Sequence, residues 1–125
     1  MRVCAILLIT LLASVASAAD SDKELRISGI YSSLRYVEET GDLIGIEILV
    51  IPSWTAVVQV AEGDVPFIAV VELKPVGDHF EFAMPADSTL SHVRCEIRFL
   101  PTEAQLFGAD CFDERALPRT KSYWE

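Results

Sequence analysis

Histidine and cysteine, the residues that most often do acid–base, nucleophilic or metal chemistry near neutral pH, are scarce in this chain of 125. It has two histidines, His79 and His92, and three cysteines, Cys4, Cys95 and Cys111. His79, Glu96 and Asp110 fall in one row if the strands that carry them pair in the register given below. Such a row would bind a divalent cation weakly or respond to pH. Two carboxylates and one imidazole on a flat sheet make a poor cage, so no metal and no cofactor is assigned. Ser28, Ser32 and Ser33 have no histidine partner, because His79 and His92 lie on a different hairpin. No Gly-x-Ser-x-Gly, Cys–His pair, phosphate loop or zinc-ligand spacing occurs. These residues argue against an enzyme.

The cysteines point to a compartment. Met1-Arg2 is a short positive start, Val3 to Leu12 is apolar except for Thr10, and Ala16-Ser17-Ala18 has the small-residue pattern of a cleavage site. Residues 1–18 are therefore expected to be a secretory signal peptide, too short in its apolar run to span a bilayer. Cleavage near Ala18 discards Cys4 and leaves 107 residues, 19–125, as a single domain in the periplasm or outside the cell. Cys95 and Cys111 remain, and an even pair in a small secreted domain is expected to form one disulfide.

The mature chain carries nine basic and 19 acidic residues, a net charge of −10. That excludes nucleic acid and anionic membranes by long-range repulsion, and favours a basic protein partner. No second segment is apolar enough to insert in a membrane.

The elements that position these residues have a period of two. Phe80, Phe82 and Met84 fall on one face, Val93, Cys95, Ile97 and Phe99 alternate against Arg94, Glu96 and Arg98, and Ile44, Ile46, Ile48 and Val50 alternate against Gly45, Glu47 and Leu49. Gly, Pro, Asp and Ser clusters separate these runs. The spacing predicts strands near 26–37, 43–51, 55–61, 67–73, 79–84, 92–100 and 104–111, with a further short one near 121–124, and no helix. The fold class is all-β: an antiparallel meander of about 7–8 short strands in a small closed or partly closed barrel, or else a β-sandwich.

Matching apolar faces sets three registers. With Glu39-Thr40-Gly41 as a three-residue loop, Tyr36 faces Ile44, Leu34 faces Ile46 and Ile30 faces Val50. Phe82 pairs with Val93, Phe80 with Cys95, and Glu81 with Arg94. Phe99 meets Phe107, Ile97 meets Ala109, and Cys95 meets Cys111. Phe80, Phe82, Phe99, Phe107 and Tyr36 are then expected to point inward. His79–Glu96–Asp110 forms the outer row. The aromatics Trp54, Tyr31, Tyr123 and Trp124 are the candidate binding residues, in turns and at the terminus, where they would contact a partner or plug the barrel ends.

Ser28-Gly29-Ile30-Tyr31, Gly41 to Glu47 and Leu117-Pro118-Arg119-Thr120-Lys121-Ser122-Tyr123-Trp124 together resemble short secreted bacterial β-proteins of no assigned activity. Gly29-x-Tyr31 with Arg119 or Lys121 near the end is also similar to the calycins, lipocalin and avidin-like barrels. Those begin with Gly-x-Trp and end with a basic residue packed over that ring. This resemblance implies a barrel rather than a sandwich. Some small periplasmic barrels inhibit c-type lysozymes through a Ser-Gly-x-x-Tyr loop, from which Ser28-Gly29-Ile30-Tyr31 departs by one residue. The expected function is a non-enzymatic binding protein, in one version an inhibitor of a basic hydrolase. The alternative is a lipocalin-like carrier of a small apolar ligand.

Overall fold

The structure is a computed structural model and describes residues 21–63 and 66–122. The predicted signal segment and the aromatic residues Tyr123 and Trp124 lie outside the described residues. A short helix, α1, spans residues 21–27. Asp22 and Glu24 fall in its first turn and Arg26 in its last, matching the helix dipole. Seven residues are too few for a 3.6-residue period to register, which is why the sequence pattern gave no sign of α1.

The strands are β1 (Gly29–Ser32), β2 (Arg35–Val37), β3 (Asp42–Ile51), β4 (Thr55–Gly63), β5 (Phe67–Glu72), β6 (Lys74–Val76), β7 (His79–Ala83), β8 (Arg94–Phe99), β9 (Glu103–Phe107) and β10 (Ala116–Thr120). They form one antiparallel sheet in the order β5-β4-β3-β1-β10-β9-β8-β7-β6, with β2 also on β3. The two outermost strands, β5 and β6, are one run of chain separated only by Leu73. Its first half pairs with β4 and its second half with β7. A single bent strand thus brings both edges of the sheet together, and the sheet is a nearly closed barrel. With β1 and β2 both laid on β3, ten strands trace eight paths around it. The continuous sheet removes the sandwich alternative.

The interior is packed with side chains. Tyr31, Ile48, Ile97 and Leu117 have no exposed surface, and Phe80 and Leu106 are nearly as deep. Interior positions alternate along β5, β7, β8 and β9, whereas Gly45 to Ile48 of β3 are buried without a break.

The registers differ from those read off the sequence. In the first hairpin Tyr31 pairs with Ile48 and Tyr36 with Leu43. The connection is four residues, 38–41, closed by the Gly41 amide donating to the Val37 carbonyl at 2.8 Å. The extra residue turns the strand over: Tyr31 faces in, and Tyr36 is 56% exposed. In the second hairpin Phe80 pairs with Ile97 and Phe82 with Cys95. That is a slip of two, which keeps every face and brings Glu81, not His79, opposite Glu96. In the third, Ile97 pairs with Leu106 and Phe99 with Ala104. The slip of three turns Phe107 outward, where His79 and Arg98 cover its ring.

Cys95 and Cys111 nonetheless form the disulfide, with Cα atoms 4.7 Å apart. Cys111 lies beyond the end of β9 in a turn opened by Gly108 (φ +119°), where the Cys111 amide donates to the Gly108 carbonyl. This turn takes up the three-residue difference in register. The disulfide is consistent with an oxidising compartment. No helix among the described residues is long and apolar enough to cross a membrane.

Candidate functional site

The outer face of β7 and β8 holds the densest chemistry among the described residues. His79 and Glu81 are two apart on β7 and share a face, and Glu96 sits directly opposite Glu81 on β8. One ligand atom from each of the three lies within 4.8 Å of the others. His79 Nε2 is 3.3 Å from Glu96 Oε1. On the other side of the ring, Nδ1 donates to Asp78 Oδ1 at 3.1 Å, and Arg98 Nη2 donates to Asp78 Oδ2 at 3.2 Å. The hydrogen bond from His79, and then the charge of Arg98, hold the Asp78 carboxyl below the usual carboxylate range. Phe107 packs its ring edge-on to the imidazole, with centroids 5.6 Å apart. Of the expected row, His79 and Glu96 meet and Asp110 does not join them. Asp110 lies across a cleft of about 430 Å³ lined also by Glu72, Lys74, Glu81, Arg94 and Glu96. The slip in register replaces it with Glu81.

The barrel has two unlike ends. At one, the connections 38–41, 84–93 and 108–115 meet. There a pocket of about 240 Å³ has an apolar floor of Ile44, Ile46, Val60, Leu90, Val93 and Phe112. Its rim carries Glu62, Asp113 and Glu114, and Glu38, Glu39 and Asp42 lie in the adjoining hairpin. Arg35 pairs with Glu114 at 3.2 Å, and Arg115 donates to the Gly108 carbonyl. The acids outnumber these cations, so this mouth is strongly negative.

At the other end α1 lies across the barrel. Arg119 projects from β10 over the Tyr31 ring, 5.6 Å from its centroid. Its guanidinium donates to the Arg26 and Ser28 carbonyls at 3.0 and 2.6 Å, and the Tyr31 hydroxyl donates to the Ile27 carbonyl at 2.8 Å. A Cβ at Gly29 would lie 3.2 Å from the guanidinium, so the glycine makes room for it. Burial raises the Tyr31 phenol above its ordinary range, and Arg119 offsets part of that. Tyr31 is fully buried, which removes it as a contact for a partner. Trp54 is half-buried and stacks on Phe80 with ring centroids 5.0 Å apart, so it plugs this end. Ser28-Gly29-Ile30-Tyr31 forms the approach to β1 and its first strand residues, with Ser28 Oγ bonded to the Glu24 carbonyl. It is not a projecting loop, and the resemblance to the lysozyme-inhibiting loop stops there.

The acidic mouth and Glu81 were not visible as sites in the sequence. The mouth gathers acids from the 38–42 hairpin, the end of β4 and the connection 108–115, and only the barrel closure brings them together. Comparison with known protein families, with curated proteins and with solved structures finds no match for this chain.

Proposed function

We propose that this chain is a secreted, non-catalytic binding protein that engages a basic protein through the acidic mouth of its barrel. The carrying observation is that Glu62, Asp113 and Glu114 line a pocket of about 240 Å³ with an apolar floor, next in the chain to the acidic 38–42 hairpin. That combination suits a lysine or arginine side chain, whose aliphatic stem is buried while its head meets carboxylates. The net charge of −9 on the whole chain would steer such a partner from a distance. The disulfide and the apolar, signal-like residues 1–18 support an extracytoplasmic location. The Gly29-x-Tyr31 ring beneath Arg119 supports the calycin-like reading of the barrel.

Calorimetry against strongly basic proteins, a c-type lysozyme first, tests the proposal. Binding should be measurable at low ionic strength, weaken with salt, and fall at least tenfold in the Asp42→Asn/Glu62→Gln/Asp113→Asn variant. No binding at low salt, or equal binding by the variant, ends the reading. Unchanged lytic rates at stoichiometric excess would remove the inhibitor version alone.

The carrier alternative has one foothold. A cleft of about 500 Å³ at the helix end has Ile27, Tyr31, Phe99 and Leu100 on its floor and Lys23, Arg26 and Arg119 on its rim. This fits an amphipathic anion at the surface rather than an apolar ligand inside, since the interior is filled. Displacement of a fluorescent fatty-acid probe, abolished by Lys23→Glu/Arg26→Glu, would support it.

A further inference from the structure

We propose that His79, Glu81 and Glu96 form a binding site for a divalent transition-metal ion, with Zn²⁺ the best match, on the outer face of the barrel. The site is independent of the acidic mouth.

Three observations carry it. The first is the state of the imidazole. Nδ1 donates to Asp78, so in the neutral ring Nε2 is left with its lone pair. That atom is shielded from solvent and forms no hydrogen bond, although Glu96 Oε1 is only 3.3 Å away. The lone pair is therefore not aimed straight at that oxygen, and the two atoms meet in a bent contact. A proton would make a hydrogen bond, and the contact lacks hydrogen-bond geometry. A metal ion about 2.1 Å from both atoms lies off the line that joins them, which is the bent arrangement this contact has.

The second observation is spacing. Zinc bonds to nitrogen and oxygen are about 2.0–2.2 Å, which places tetrahedral ligand atoms about 3.4 Å apart. The Nε2–Oε1 separation of 3.3 Å already has that value. Glu81, exposed and directly across from Glu96, supplies the third ligand by rotating its side chain within the 4.8 Å that spans the group. Two carboxylates opposite each other in a sheet destabilise it unless a cation intervenes. Lys74 pairs with Glu81 from β6 and Arg94 lines the same cleft, yet among the described residues neither forms an ion pair with Glu81 or Glu96.

The third is the support around the histidine. Metal-binding histidines commonly donate their second ring nitrogen to a carboxylate, which fixes the tautomer and aims the first. Asp78 does this here, and Arg98 fixes Asp78 in turn. The ring is further held against Phe107. One imidazole and two carboxylates leave a fourth position open toward the cleft of about 430 Å³, where water or a donor from a partner would bind. Ca²⁺ seeks six to eight oxygens and fits this set poorly.

Calorimetry and thermal melts on the chelator-treated mature protein with Zn²⁺, Mn²⁺ and Ca²⁺ test the site, with Co²⁺ as a spectroscopic stand-in. Zn²⁺ should bind one to one and raise the melting temperature, with Ca²⁺ far weaker. Co²⁺ should give visible absorption of tetrahedral character. Glu96→Gln and His79→Gln should each lower Zn²⁺ affinity at least tenfold, and His92→Gln should leave it unchanged. Asp78→Asn touches no metal, yet it should weaken Zn²⁺ binding by about 10–100-fold while the metal-free melt stays near that of wild type. Three results would overturn the proposal: no stoichiometric binding of Zn²⁺, binding untouched by Glu96→Gln, or binding lost through His92→Gln instead.

Discussion

Replacing Arg119 tests how the helix end of the barrel is held. Its guanidinium makes two hydrogen bonds to carbonyls that flank the end of α1, at 2.6 and 3.0 Å, and lies 5.6 Å over the Tyr31 ring. A buried charged hydrogen bond contributes about 1.5–3 kcal/mol. Both bonds here are exposed, so about 0.7 kcal/mol each is the better figure. An exposed cation–π contact adds about 0.5–1 kcal/mol. Arg119→Ala should therefore cost about 2 kcal/mol in urea unfolding at 25 °C with the disulfide intact. Arg119→Lys keeps the charge over the ring but not the planar fork, and should recover about half of that loss. Because the fork closes the end of α1, hydrogen exchange at the Ser28 amide, bonded to the Glu24 carbonyl at 3.1 Å, should accelerate in both variants. A cost below about 0.5 kcal/mol for Arg119→Ala, or full rescue by lysine, would refute the reasoning.

Other expectations follow from particular contacts. Leu106→Ala should cost about 2–5 kcal/mol because Leu106 is 2% exposed, whereas Phe107→Ala on the outer face should cost about 1 kcal/mol; equilibrium unfolding that reversed this order would restore the register expected from sequence. Gly45→Ala should destabilise by about 3 kcal/mol, since its Cβ would lie 2.5 Å from the Ser33 carbonyl oxygen at a φ of +128°. Gly63→Ala, with φ +138° and nothing within 4 Å, carries only the backbone strain of about 1 kcal/mol and serves as the control. Stability should fall as pH rises above about 10, because Tyr31 ionises more readily in the unfolded chain than in the folded one, where burial raises its pKa. The same unfolding assay on Tyr31→Phe should show a shallower alkaline slope.

Alternation made the barrel legible but not its registers. Phe80, Phe82 and Met84 had to share a face, and a slip of two could not change that. Tyr31 and Tyr36 traded places because Gly41 closes a four-residue connection as readily as a three-residue one. Leu106 and Phe107 are adjacent apolar residues, so the pattern admits either as the inward one. Strand β10 was hidden by Pro118, which cannot donate to a neighbour. It is tolerated because β10 pairs with β1 only at Arg119 and Thr120. His79 and Glu96 were recognisable as neighbours despite the wrong register, because diagonal pairs across two strands remain within reach of long side chains. Asp110 was lost to the slip of three in the third hairpin, and Glu81 was gained through the slip of two in the second.

The disulfide connects the fold to the proposed binding surface. Cys111 stands between Gly108 and the rim acids Asp113 and Glu114, and Cys95 lies in β8 with its side chain in the core. Ladder pairing does not hold the segment 108–115, since β9 stops at Phe107 and β10 starts at Ala116. This stretch is tied down by the disulfide, by the Arg94 amide donating to the Asp110 carbonyl at 3.1 Å and the Leu106 amide donating to the Arg115 carbonyl, and by the exposed contacts Arg35–Glu114 and Arg115–Gly108. Cys95 and Cys111 are 16 apart in sequence, and closing a loop of that length is worth about 3 kcal/mol in the chain-entropy model. The barrel strands do not depend on it, so loss of the bond should free the mouth before it unfolds the sheet. The Cys95→Ala/Cys111→Ser variant, kept folded at low temperature, should then retain its β-sheet circular dichroism while losing affinity for a basic partner. Equal affinity in that variant would mean that Asp113 and Glu114 are placed without the disulfide, and that the preorganised part of the mouth is the 38–42 hairpin and Glu62 alone.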